Sequence, residues 1–289
     1  MRRAILVGLV GANIQKSLSP ALFEDACAAA GLDGHYHLMD LDLLPGRGLP
    51  DLLAAARTAG FAGVNVTFPC KEAVLPLLDE VSPEAREIGA VNTVIIGRDG
   101  RTTGHNTDRT GFRRSVEETM GRRRVEGQTA VLVGAGGAGR AVAFALFDLG
   151  LRHLLVGDSD RGRAESLAAS VGSHRCETVA DAAAALAGAA GLVNATPVGM
   201  SGFSGLPVPP EAFSARHWLA DVIYTPLETE LVLGSRARGA LAMGGTGMCI
   251  HQAAEAFRLF TGLTADVARM KNTFAEAAAR RGDVQAAAS

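Results

Sequence analysis

The segment Gly134-Ala135-Gly136-Gly137-Ala138-Gly139 constrains what the chain around it can become. It follows the apolar run Thr129 to Val133, opens a helical pattern, and is followed 19 positions after Gly139 by Asp158. A GxGxxG triplet alone arises by chance in a chain with 35 glycines, but the order strand, loop, helix, strand, acid is far more demanding. Each glycine has its own task. Gly134 permits a tight turn, Gly136 lets backbone amides approach a pyrophosphate, and Gly139 lets helix and strand pack closely. The helix N-terminus then faces negative charge. The segment therefore reads as the dinucleotide loop of a doubly wound, Rossmann-type α/β domain. Asp158 lies just past a second apolar run, Leu154 to Val156, where a carboxylate accepts hydrogen bonds from the adenosine ribose and repels a 2′-phosphate. NAD is expected over NADP. Arg161 and Arg163 pull the other way, since arginines placed there can pair with a 2′-phosphate.

The loop sits at 134 rather than near residue 10, so another module of about 110 residues precedes it. In that module Ala4 to Val10 reads as a buried strand, Pro20 to Ala30 as a helix capped by Ser19, and His35 to Leu41 as a strand. Pro50 to Thr58 reads as a helix, Gly63 to Phe68 as a strand ended by Pro69, and Glu72 to Asp79 as a helix. Ala90 to Ile96 reads as a strand leading to the turn Arg98-Asp-Gly100. Thr107 to Met120 is a helix crossing into the nucleotide domain, where strands near 130, 154, 192 and 219 alternate with helices, one of them Ala180 to Ala190. Two amphipathic stretches, Met248 to Thr261 and Ala265 to Arg280, have no place in a doubly wound sheet and are expected to return to the first module. Gln285 to Ser289 is expected to fray. The expected organisation is a two-domain α/β protein: residues 1–110, completed by 247–289, as the substrate-binding and catalytic domain, and 111–246 as the Rossmann NAD-binding domain.

Composition narrows the function. A formal charge of −2 with mixed signs gives no reason to invoke nucleic acid or an anionic membrane, and Arg122 to Arg124 fit one solvated turn. Cys27, Cys70, Cys176 and Cys249 are widely spaced without a CxxC pair, so neither zinc nor a disulfide framework is indicated. The apolar run after Met-Arg-Arg is too short for a signal peptide, and no segment sustains the roughly 20 apolar residues of a membrane span. A soluble, cytoplasmic protein acting on a small molecule is expected, as a monomer or homodimer.

Hydride transfer from an alcohol needs a group that accepts the hydroxyl proton. The seven histidines lack HxxxH spacing, so a metal is not expected and a side-chain base is needed. Lys71 lies just beyond a strand end in Asn65-Val-Thr67-Phe-Pro-Cys-Lys71, and Asp108 closes the run His105-Asn106-Thr107-Asp108; strand ends of α/β sheets face clefts. A lysine at its ordinary value of about 10.4 is protonated at neutral pH, and a neighbouring carboxylate pushes it higher. Either burial overcomes that attraction, or the two groups share one proton network, which we favour. The structural alternatives are a solvated lysine at a helix start and a helix N-cap. Ser17 and Ser19 precede a helix and suit an anionic or polyhydroxylated ligand, or else supply one N-cap and one solvent hydroxyl. Asn65, Thr67, Asn92, Thr107 and Gln252 are polar residues in or beside apolar segments; they suit a polar pocket, or satisfy local backbone groups.

At these residues the chain resembles the shikimate dehydrogenase family, and within it the members that use NAD on quinate and shikimate. The match spans nearly the whole chain: Ser17-Leu-Ser19-Pro20, Asn65-Val-Thr67-x-Pro-x-Lys71, Gly89-Ala-Val-Asn92-Thr93, Gly104-His-Asn106-Thr107-Asp108, the glycine loop, Asn194-Ala-Thr196-Pro197-x-Gly199-Met200, Asp221-Val-Ile-Tyr224-x-Pro226-x-Glu228-Thr229 and Gly247-Met248-x-Ile-His-Gln252-Ala253. The resemblance implies reversible oxidation of a ring alcohol on a cyclohexane or cyclohexene carboxylate. It makes Lys71 and Asp108 the catalytic dyad. Ser17 and Ser19 would hold the substrate carboxylate, and Thr67, Asn92, Thr107, Asp108, Tyr224 and Gln252 would line the pocket for ring hydroxyls. Besides Gly134 to Gly139 and Asp158, it places Arg163, Thr196, Pro197, Val222, Gly245 and Met248 along the cofactor. Biosynthetic members that use NADP usually carry Asn-Arg-Thr or Ser-Arg-Thr where this chain has Asp158-Ser-Asp160, which again favours NAD and with it a catabolic role. Gly11 to Lys16 lacks the Pro-Ile-x-His lead common before the serine pair, and some quinate-using relatives have a threonine at the position of Ser19. The rival expectations are an NADP-dependent biosynthetic shikimate dehydrogenase, a relative specialised for an aminated analogue, and a ligand-binding sensor without turnover.

Overall fold

Ala4–Gly11 (β1) is apolar along its length, and a strand on each side buries it almost completely from Val7 onward. The computed structural model describes residues 3–282 and divides into two compact units, 1–107 with 250–289, and 108–249.

The first unit contains, after β1, α1 (Ser19–Ala29), β2 (Asp33–Asp40), α2 (Leu49–Thr58), β3 (Gly63–Val66), β4 (Glu80–Val81), α3 (Pro83–Ile88), β5 (Thr93–Ile96) and β6 (Thr102–His105). The strands form a mixed sheet in the order β2-β1-β3-β5-β6-β4. β1 runs parallel to β2 and β3, and β5 antiparallel to β3 and β6. Leu52, Leu53 and Ala56 of α2 pack with Val10, Val64, Val66 and Val94 of the sheet in one core.

The second unit contains α4 (Asp108–Thr119), β7 (Thr129–Val133), α5 (Gly137–Asp148), β8 (His153–Gly157), α6 (Arg161–Val171), β9 (Cys176–Thr178), α7 (Ala182–Leu186), β10 (Gly191–Asn194), β11 (Trp218–Asp221), α8 (Glu230–Ala237) and β12 (Leu241–Met243). Its six strands are all parallel, in the order β12-β11-β10-β7-β8-β9. Renumbered within the unit this is 6-5-4-1-2-3, the doubly wound dinucleotide-binding order, and its switch point falls between β7 and β10.

Of the last two helices, α9 (Thr246–Thr261) crosses the division and α10 (Val267–Arg280) lies wholly in the first unit. The expected return is present. Phe257 and Phe260 of α9 meet the Phe23 ring edge-on, with centroids 6.0 and 6.1 Å apart. The Arg269 guanidinium on α10 donates twice to Asp25 of α1, at 2.8 and 2.6 Å, and Thr273 Oγ1 adds a third bond at 2.8 Å.

Local differences from the expected elements have identifiable causes. The segment expected as a helix over Glu72 to Asp79 is a set of turns with one 3₁₀ stretch, Leu75–Leu77, because Pro76 removes an amide and biases Leu75 away from the α region. α1 begins at Ser19 with Leu18 as its N-cap, so Ser19 does not cap it; instead the Ser17 hydroxyl accepts from the Ser19 amide at 3.2 Å. The alanine helix contracts to Ala182–Leu186. Gln285 to Ser289 lies outside the described residues.

Candidate active site

In the second unit, the residues expected to bind a dinucleotide gather at the carboxyl ends of β7, β8, β10, β11 and β12. Gly134 follows β7 with φ +100°, and a Cβ there would sit 2.8 Å from the Ala195 carbonyl, which follows β10. A Cβ on Gly139 would collide with the Gly134 carbonyl oxygen, so α5 touches the turn it grows from. Gly136 is the N-cap of α5, and a Cβ added to it would meet nothing nearer than Arg163 Nη1 at 3.7 Å. The N-terminus of α5, with Gly137 and Ala138 in its first turn, therefore opens onto free space beside a guanidinium. A diphosphate fits that cradle.

Asp158 follows β8, and its Oδ2 accepts the Ala135 amide at 2.7 Å. Its Oδ1 accepts the Asp160 amide at 2.8 Å. The acid read 19 positions past the last glycine thus sits directly on the glycine loop. Of the two reserved arginines, Arg161 is bonded to Glu165 at 2.7 Å and lies exposed, whereas Arg163 lies beside Gly136. Thr196 donates from Oγ1 to Asn194 Oδ1 at 2.7 Å, and Pro197 and Val222 are half-buried next to it in sequence and after β11. The Gly245 amide donates to Ile223 O at 2.8 Å, and a Cβ on Gly245 would collide with Val222 O. Met248 is buried. Asp108, the first residue of α4 and 4% exposed, and the half-buried Tyr224 also belong to this unit.

In the first unit, a polar cluster lies where β3, β5 and β6 meet. Asn65 donates from Nδ2 to Asn92 O at 3.2 Å and to Thr93 Oγ1 at 2.9 Å, and accepts from the Tyr36 hydroxyl at 2.9 Å. Asn92, 3% exposed, donates to Thr107 Oγ1 at 2.9 Å and accepts the Thr107 amide at 2.8 Å. Gln252 Oε1 lies 3.4 Å from Thr107 Oγ1, which joins α9 to the same cluster. Lys71 follows the cis Phe68–Pro69 bond; its carbonyl accepts the Val91 amide at 2.8 Å and its side chain is half-buried. Asn65, Asn92, Thr107 and Gln252 are thus brought together, while Thr67 packs where Gly11 starts the serine loop: a Cβ on Gly11 would collide with Thr67 Cγ2.

Sequence reasoning missed the residues that hold the serine loop. Asp40, 3% exposed, accepts the Ile14 amide at 3.1 Å and Gln15 Nε2 at 3.0 Å, and Asp42 accepts the Asn13 amide at 2.9 Å. Together they fix the loop that carries Ser17 and Ser19. Burial pushes the Asp40 carboxyl up, but the Gln15 amide and the Asp42, Ile14 and Asn13 backbone donors outweigh it and hold it below the usual carboxylate value. Tyr36 reads only as a strand residue, and Thr93 only as the end of a matched motif, because pairing across strands leaves no mark in local sequence.

A glycine cradle with an acid on it in one unit, and a cluster of amides and hydroxyls beside a lysine in the other, define a class: a nicotinamide-dependent oxidoreductase of two-domain α/β build. Comparison with known proteins makes this specific. Residues 9–94 match the shikimate dehydrogenase substrate binding domain, and residues 245–273 match the shikimate 5′-dehydrogenase C-terminal domain. A quinate/shikimate dehydrogenase (NAD(+)) of Corynebacterium efficiens is 48% identical over 94% of this chain and 98% of its own. A shikimate dehydrogenase (NADP(+)) of an Arthrobacter species is 44% identical over 94% and 95%. The quinate dehydrogenase of Corynebacterium glutamicum, solved in complex with NAD, superimposes with a TM-score of 0.87 at 44% identity, covering 95% of this chain and 100% of that one. The chain belongs to the shikimate dehydrogenase family.

Proposed function

We propose that this protein is an NAD-dependent dehydrogenase that reversibly oxidises a ring hydroxyl of shikimate, quinate or both to the 3-dehydro ketone. The observation that carries the reading is the Asp158 carboxylate seated on the Ala135 amide at the end of β8. There it accepts from ribose hydroxyls and opposes a 2′-phosphate. The amides at the start of α5, with Arg163, hold the diphosphate; Thr196, Pro197, Val222, Gly245 and Met248 line the cofactor beyond it. Bound NAD supplies the hydride acceptor. The chain's own task is to place the alcohol and take its proton. Ser17 and Ser19 hold the substrate carboxylate, while Thr67, Asn92, Thr107, Tyr224 and Gln252 hold its hydroxyls. Lys71 and Asp108 receive the hydroxyl proton as the carbonyl forms, and return it in the reverse direction. We place the enzyme in the cytoplasm, as a monomer or homodimer, where its four buried thiols stay reduced.

Steady-state reduction of NAD and of NADP, each with shikimate and with quinate, tests the reading. Turnover with NAD on either acid is expected. Turnover with NADP alone would assign the chain to the biosynthetic branch, and none in all four would point to another substrate or a sensor.

A further inference from the structure

Asp221, the last residue of β11, is 1% exposed and carries no role in the chemistry above. Its Oδ1 accepts the Ile223 amide at 3.0 Å and Asn194 Nδ2 at 3.1 Å; its Oδ2 accepts Thr229 Oγ1 at 2.7 Å. The bonds to Asn194 and Ile223 lead to the loops assigned to NAD, and the bond from Thr229 ties the carboxylate to the N-cap of α8. Asn194, fully buried, turns its Oδ1 to the Thr196 amide at 3.0 Å and the Thr196 hydroxyl at 2.7 Å, and Thr196 Oγ1 accepts the Val198 amide at 3.1 Å. Ile223, held by its amide, presents its carbonyl to the Gly245 amide at 2.8 Å. Val222 lies between the two anchored residues. Four residues assigned to NAD, Thr196, Pro197, Val222 and Gly245, therefore hang on one carboxylate.

We propose that Asp221 is a positioning residue for NAD: it fixes the orientation of the Asn194 amide and the course of residues 222–223, and through them the two loops along the cofactor. The Asn194 amide is the lever. With an acceptor at residue 221, its Nδ2 must face β11 and its Oδ1 must face Thr196. Without one, Nδ2 keeps only its longer bond to Val198 O, at 3.3 Å, and the amide that orients Thr196 is held from one side alone. A carboxylate buried at a strand end is costly, and an apolar residue would staple β10 to β11 at least as well. The acceptor itself is what the loops require.

The inference rests on the assignment of these loops to NAD, and its test separates the two. In the full-length protein, Asp221→Leu is expected to raise KM and the calorimetric Kd for NAD about tenfold, with KM for shikimate or quinate within about twofold. Asp221→Asn keeps an acceptor for Ile223 and Asn194, and is expected to stay within about twofold of the parent in every constant. An unchanged Kd for NAD in folded Asp221→Leu, with only a lower melting temperature, would overturn the proposal. So would Asp221→Asn as impaired as Asp221→Leu. Should the leucine variant not fold, Asn194→Leu removes the amide through which Asp221 acts on Thr196 and is expected to raise the NAD Kd about tenfold; no change would overturn the proposal. Calorimetry needs no turnover, so a wrong substrate would show in the parent enzyme's rates and leave this comparison intact.

Discussion

A 2′-phosphate brought toward Asp158 meets a carboxylate already fixed by the Ala135 and Asp160 amides, so it cannot swing aside without releasing the glycine loop. Hydrogen bonds to a charged acceptor contribute about 1.5–3 kcal/mol each. Asp158→Ala is accordingly expected to raise KM for NAD about 30-fold, to narrow the preference over NADP, and to leave substrate KM unchanged; initial rates with each cofactor check this. Lys71→Ala is expected to lower kcat by about 10²–10⁴ with NAD affinity unaltered, as loss of a proton acceptor does. Near-normal turnover would remove Lys71 from the chemistry. At this scale the contact between the glycine loop and Asp158 was legible, because the two follow one another closely in sequence and the pattern is tied to a known local geometry. Asp40, which fixes the serine loop from 25 positions away from Gln15, was not, since nothing near it in sequence distinguishes it from any acid ending a strand.

Asp221 also makes the parallel sheet of the second unit sensitive to pH. Burial raises its carboxyl to about 6, against the opposing bonds from Thr229, Ile223 and Asn194. The folded state thus binds this proton more tightly than the unfolded chain does. The stability linked to it is fully present below about pH 4 and is lost as pH rises through 6, a difference of about 3 kcal/mol. Carboxyls held low, such as those of Asp25 and Asp40, act in the opposite sense, so the readout is a comparison. Urea unfolding of the parent and of Asp221→Asn between pH 4 and 7 should show the variant gaining relative stability as pH rises. Legibility among the elements followed length. The long apolar or periodic runs gave β1, β7, β8, α9 and α10. α3 escaped notice although Ser82 caps it, with its hydroxyl accepting the Ala85 amide at 3.2 Å, and Gly89 ends it at φ +72°: six residues are too few for a period to emerge. β4, with two residues, exists only through its pairing with β6.

Across the whole molecule, the first unit is discontinuous in sequence. Its closure depends on contacts such as Asp25 with Arg269, 244 positions apart, and on the Phe260 ring, which occupies the space a Cβ on Gly63 would need. Phe260→Ala is expected to destabilise that unit by about 3 kcal/mol in urea unfolding. Residues 1–107 expressed alone are expected to lack a cooperative transition, and to gain one when 250–282 is supplied, as judged by circular dichroism. That the last helices return was readable, because a doubly wound sheet leaves them no position; which residues they would meet was not. The same discontinuity sets an order of events during synthesis. Residues 108–249 are one uninterrupted stretch and are complete while the first 107 still await their closing helices, a wait of about 2–8 s at translation rates of roughly 5–20 residues per second. The half that leaves the ribosome first is the half that finishes last, and during that interval the surface of α1 meant for α10 is the part of the nascent chain most in need of a chaperone.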